Sequence, residues 1–160
     1  MVITMKHSKL LFIIMSFLCL FGISACSGNN SNTANPNASY NYPEKSDFVF
    51  EVSHDSIDIK KGEAITIECS LKNISNENYY IEHGMEAITY TYNELSENIE
   101  TIAVLEQFKS DSVINRTLNI TADKAGKITI TASIDVKPSE FSDQYKTYTF
   151  EKDVVVNIVD

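Results

Sequence analysis

Beyond the first 25 residues, four cysteine and histidine side chains have the chemistry of nucleophiles or proton carriers: Cys26, Cys69, His54 and His83. Cys69 lies in the alternating segment "AITIECSLK", on the apolar side with Ile65, Ile67 and Leu71, and so reads as a small buried hydrophobe. A reactive thiol would need exposure and a depressed pKa, which that pattern opposes. His54 and His83 fall in separate turns and read as exposed loop residues, with no G-x-S-x-G elbow and no cysteine set beside a positioned histidine, so a hydrolytic triad is not expected. Glu82, His83 and Glu86 of "EHGME", and Asp111 of "SDS", offer metal ligands, but without the spacing of a calcium loop or a multi-histidine zinc site. Only Gly62, Gly84 and Gly126 occur after the first 50 residues, too few and too scattered to cradle a phosphate. The expectation is a protein that is not an enzyme, with no metal and no cofactor. Cys26 is different, because it stands where an apolar run gives way to the uncharged polar stretch 27–32.

What precedes Cys26 explains its position. Lys6, His7 and Lys9 are followed by "LLFIIMSFLCLFGI", 10–23, and then by Ser24 and Ala25: a basic start, an apolar middle and a small-residue exit, the order of a secretory signal peptide over 1–25. Fourteen helical residues at about 1.5 Å each reach roughly 21 Å, short of the roughly 30 Å hydrocarbon core. Ile23-Ser24-Ala25-Cys26 resembles the lipobox of bacterial lipoproteins, with Ile where that family usually has Leu. The resemblance implies a diacylglycerol on the Cys26 thiol, cleavage before it, and a mature chain held through lipid on the extracytoplasmic face of the cell membrane. Two acyl chains suffice for stable anchoring at about 0.8 kcal/mol per buried CH₂. The alternative is a secreted protein without lipid.

Cleavage there leaves 135 of the 160 residues, enough for one domain. The leader takes away Lys6 and Lys9 and no acid, so 11 basic residues face 22 acidic ones and the net charge is −11. Such a chain repels nucleic acid, and no nucleic-acid partner is expected. With Cys26 modified and Cys19 removed, Cys69 has no disulfide partner, and the domain depends on its core alone. Residues 26–47 form the lipidated cysteine and an Asn/Ser-rich linker, "SGNNSNTANPNASYNYPEKSD" after the cysteine, poor in aliphatic side chains. As a flexible coil it would span roughly 25 Å. N-x-S/T triplets begin at Asn29, Asn37, Asn73, Asn115 and Asn119, as an Asn-rich chain produces by chance.

From 48 onward the period is two. "AITIECSLK" and "KITITASIDVK" alternate apolar and polar residues, and weaker alternation runs through "FVFEV", "SIDIK", "YYI", "ITYTY", "LNI" and "TYTFEKDVVVNIV". Turn signals separate them at "KKGE", "NISNEN", "ADKAGK" and "KPSEFSDQ". In 93–108, Leu95, Ile99, Ile102, Leu105 and Phe108 have helical spacing, but "TIAVL" also suits an edge strand, and strand is favoured. The fold class expected for 48–160 is an all-β, Ig-like antiparallel β-sandwich of seven to eight strands.

"KKGEAITIECSLKNISNENYYIEHG", "ITYTYNE" and "RTLNITADKAGKITITASIDV" resemble bacterial Ig-like domains of cell-surface lipoproteins and the Ig-like proteinase-inhibitor domain of bacilli. The resemblance lies in structural motifs: Asn73-Ile74-Ser75-Asn76 as an interstrand turn, and Gly126 as a residue whose backbone suits a tight one. It departs from antibody-type domains in lacking Trp and a second cysteine facing Cys69. An Ig-like topology gathers loops 73–78, 107–112 and 137–145 at one end, where Phe108 and Phe141 are candidate protein-contact residues, or else rings folded back over the core. The expected function is a membrane-anchored, non-catalytic binding or structural domain. Alternatives are a proteinase inhibitor acting through 137–146 and an accessory subunit of a membrane or envelope complex.

Overall fold

The computed structural model describes residues 40–93, 95–97 and 102–159. The leader, Cys26 and the linker as far as 39 lie outside the described residues, as do 94, 98–101 and 160. The period-two segments become ten strands among the described residues: β1 (Phe48–Val52), β2 (Ser56–Ile59), β3 (Ala64–Asn73), β4 (Tyr79–Gly84), β5 (Ile88–Tyr92), β6 (Leu95–Ser96), β7 (Ala103–Phe108), β8 (Val113–Thr121), β9 (Gly126–Lys137) and β10 (Lys146–Ile158). The count exceeds seven to eight because the stretch 93–108 adds two, β6 and β7, to the eight period-two segments. Within 93–108 the strand assignment holds for β6 and β7.

One sheet has the order β1-β3-β8, and the other β2-β10-β9-β4-β7, with β5 on β9 and β6 on β5. β1 and β3, β3 and β8, β9 and β10 pair antiparallel, whereas β2 runs parallel to the end of β10. In this order β1, β3 and β8 occupy the A, B and E places of an immunoglobulin-like sandwich, and β4, β9 and β10 the C, F and G places. The long β9 serves two neighbours on one edge in succession, β5 along Ile128–Ala132 and β4 along Asp135–Lys137. Ser133 donates its N–H to the Ala87 carbonyl between them, at 2.9 Å.

The alternation places the core as its pattern requires. Ile65, Ile67, Cys69 and Leu71 of β3 face Ile128, Ile130, Ala132, Ile134 and Val136 of β9, all buried. Each large apolar side chain so buried is worth about 1.5–3 kcal/mol. At one end Phe48 is the centre of an aromatic cluster, with Phe108 stacked at 6.1 Å, Tyr79 at 5.7 Å and Tyr148 at 5.4 Å between ring centroids. Lys152, on the inward parity of β10 opposite Ile130, is exposed instead, a charge that guards the β10 edge against pairing with another chain.

Two expectations need correction. The linker ends before 47, because Tyr42 packs on the core, Pro43 is buried, and the Tyr148 hydroxyl donates to the Pro43 carbonyl. A 3-10 turn over Lys45–Asp47 follows, and the Asp47 carbonyl accepts the Ile74 N–H at 2.8 Å. Aliphatic content hid this, since the burial comes from phenol rings and a proline. Gly126 is explained by space rather than by backbone angle: a Cβ there would lie 1.9 Å from Asn93 Oδ1, so any larger residue displaces the Asn93 amide. Gly62, at φ +82°, is the glycine in the left-handed region, at the third position of the turn closed by Glu63 N–H on the Lys60 carbonyl.

Candidate functional site

The loops at the aromatic end are organised by one residue. Asn73, the last of β3, is fully buried, and its amide nitrogen donates to the carbonyls of Glu77 (2.9 Å), Phe108 (3.2 Å) and Lys109 (3.2 Å). Its Oδ1 accepts from the Ser75 backbone N–H (3.0 Å) and hydroxyl (2.8 Å). Asn73 thereby ties loop 74–78 to turn 109–112, which Ser110 reinforces by donating its N–H to Asn78 Oδ1 at 2.8 Å and its hydroxyl to the Ser75 carbonyl at 2.6 Å. Asp111, at φ +60°, completes the turn and pairs with Lys72 at 3.2 Å. Pro138 of the β9–β10 loop reaches the same end, lining a cleft of about 500 Å³ with residues 40–44 and 77–80.

The two candidate contact rings part company here. Phe108 is the last residue of β7, 2% exposed and stacked on Phe48, so it is core and not loop surface. β7 pairs with β4 in the register Phe108 to Tyr79, which carries the ring under the loop. Phe141 is 87% exposed. It occupies the third position of the turn Ser139–Ser142, closed by Ser142 N–H on the Ser139 carbonyl at 3.2 Å, and Gln144 N–H on Ser142 Oγ (3.1 Å) bends the chain again. Tyr145, 59% exposed, follows.

The other candidates do not converge. Glu82 pairs with Lys137 at 2.8 Å, and Glu86 with Arg116 at 3.2 Å. His83 is not a loop residue: it continues the inward parity of Tyr79 and Ile81 in β4, with its side chain 8% exposed, Nδ1 at 2.6 Å from the Gly84 carbonyl and Nε2 at 3.3 Å from Glu106. His54 is exposed, 2.7 Å from Ser53 Oγ. Burial pushes the Cys69 thiol up to about 11, opposed only in part by Arg116 across the β3–β8 pair.

Sequence reasoning missed Arg116. It points between the sheets from β8, forks onto Glu97 at 2.6 and 2.8 Å, and donates to the Ile88 carbonyl, clamping the β5–β6 hairpin to the opposite sheet. Its parity with Leu118 and Ile120 was the available signal, but its partners lie 19 and 28 residues away.

No family model and no curated protein matches the sequence. Among solved structures the chain is similar to one in the complex of zinc 2-glycoprotein and prolactin inducible protein from human seminal plasma, at 6% identity and TM-score 0.42, covering 69% of this chain and 94% of that one. A CARDB domain from Pyrococcus furiosus, solved with di-metal ions, gives 16% identity and TM-score 0.40 over 71% and 94%. The ASH/PapD-like domain of human CEP192 gives 11% and 0.39 over 76% and 92%. None of these likenesses bears on function.

Proposed function

We propose that this chain is an extracytoplasmic lipoprotein of the cell membrane, anchored by lipid on Cys26, whose Ig-like sandwich is a non-catalytic module that engages a protein partner through loop 138–145. The observation that carries the binding role is Phe141, 87% exposed at the tip of a hydrogen-bonded turn. A ring exposed at the tip of a turn gains about 1.5–3 kcal/mol when a partner covers it, and the turn has already ordered the backbone that carries it. Aromatic side chains of this kind are typical anchors of protein contacts. The anchor rests on the leader and on the Ile-Ser-Ala-Cys sequence. Inhibition of a proteinase through 137–146 has less support, because the two bends break the extended run that a protease cleft accepts.

Fatty-acid labelling in the native host tests the anchor: label on the chain and none on the Cys26→Ser variant is expected, and label persisting on that variant refutes it. Crosslinking in the host membrane tests the contact. One adduct, lost on Phe141→Ala, is expected; the same adduct on that variant refutes the role of the loop. Inhibition of any member of a serine-protease panel would replace this reading with the inhibitor one.

A further inference from the structure

Where residue 40 meets the sandwich, the cleft of about 500 Å³ has the size of a small-molecule site, roughly 300–1,000 Å³. Its walls include the phenol-bearing residues Tyr40, Tyr42 and Tyr80, and its carboxylates are those of Glu44, Asp47 and Glu77. Tyr40 and Tyr42 meet nearly at right angles, 87° between planes and 4.8 Å between centroids, so their rings form a corner. Both are half-buried. No lysine or arginine is among the described residues that line the cleft. Nearby, the same aromatic cluster already holds ammonium groups against ring faces: Lys45 Nζ lies 4.9 Å from the Phe150 centroid and Lys146 Nζ 5.0 Å from that of Tyr148.

Aromatic faces attract cations through their quadrupole, and an alkylated ammonium adds apolar surface that a phenol corner can cover. Carboxylates with no cation of their own in the cleft supply the complementary charge. We infer that this cleft is a binding site for a small organic cation of the quaternary ammonium class, seated in the Tyr40–Tyr42 corner and neutralised by Glu77 and its acidic neighbours. The chemistry is that of a choline group, either free or displayed as a lipid headgroup. The site is independent of Phe141 and extends the function beyond a protein contact.

The test uses the full chain with ¹³C-labelled tyrosine rings in a maltoside detergent, which carries no ammonium group. Titration with choline chloride should shift the ring signals of Tyr40, Tyr42 and Tyr80 saturably, and the neutral isostere 3,3-dimethylbutan-1-ol should not. Tyr40→Leu, at the edge of the domain, should weaken choline binding about tenfold, between the sizes of an exposed and a desolvated cation–π contact, as suits a half-buried ring. Glu77→Gln should weaken it by a smaller factor and flatten its dependence on ionic strength. Phe141→Ala should leave it unchanged, which separates this site from the proposed contact loop. Flotation of the detergent-free mature chain, 26–160 with Cys26→Ser, which carries neither lipid nor the apolar leader, with phosphatidylcholine vesicles but not phosphatidylglycerol vesicles assigns the headgroup as the source; choline binding without flotation assigns the free cation. Absence of saturation, equal shifts with the isostere, or Tyr40→Leu binding as tightly as the parent while the remaining tyrosine signals hold their positions overturns the inference.

Discussion

Replacing Asn73 by Ala removes five hydrogen-bond contacts, three of them from the two amide protons, one of which is shared. The Phe108 carbonyl, in a buried contact, then has no amide to bind, at a cost of about 1–3 kcal/mol. The Glu77 and Lys109 carbonyls and the Ser75 donors are only part-buried, so water replaces their partner at a net loss nearer 0.5 kcal/mol each. Together the loss is roughly 3–5 kcal/mol, a large share of the 5–15 kcal/mol that holds a domain folded. Urea unfolding followed by far-UV circular dichroism should show the midpoint falling by about 2 M, taking an m-value of roughly 1–3 kcal/mol per molar. Asn73→Asp sharpens the test, because it is nearly isosteric and keeps the acceptor for Ser75. Its carboxylate, however, faces three carbonyl oxygens in place of a donor, so it should be less stable than Asn73→Ala at neutral pH and recover as acid protonates it. A midpoint shift below about 0.5 M for Ala, or an Asp variant as stable as the parent, would refute the hub role and leave Asn73 as mere filler.

The remaining predictions concern the space between the sheets. Arg116→Met should cost about 2–3 kcal/mol, discounted from the 3–5 of a fully buried pair because Glu86 is 44% exposed, and calorimetry should show a drop of roughly 10 °C. Adding Glu97→Leu should restore much of it, since the uncompensated carboxylate is the larger penalty. The Cys69 thiol, raised from the ordinary 9.0 to about 11, should react with iodoacetamide at pH 8 at least about a hundredfold more slowly in the folded chain than in urea, read by peptide mass spectrometry. Because its folded pKa is the higher one, the associated stability is complete below about pH 9 and is lost as pH rises towards 11; Tyr148, raised by burial, acts in the same sense. A urea midpoint flat across that window would contradict the shift.

How far the fold could be read varied with the range of the interaction. β3 and β9 were legible residue by residue, because side chains in a strand alternate strictly and both faces were marked. His83 reads as a turn residue in the sequence, whereas the strand runs on to Gly84 and keeps the ring inward. Phe108 looked like a loop residue: Lys109, Ser110 and Asp111 after it are turn formers, and only the β4–β7 register shows that the strand ends on the ring itself. The aromatic corner was invisible, since Tyr40 and Tyr42 sat in a stretch whose Asn and Ser content reads as linker.

By itself the sequence determined the sign of the charge, which is a count, and the period of the strands, the inward face of β3 and β9 and the burial of Cys69, which follow from nearest neighbours along the chain. Which phenylalanine meets solvent, what Arg116 and Asn73 hold together, and where the tyrosines converge were decided by strand order and register. These are contacts between segments far apart in sequence, and local alternation says which way a side chain points but not what waits on the other side.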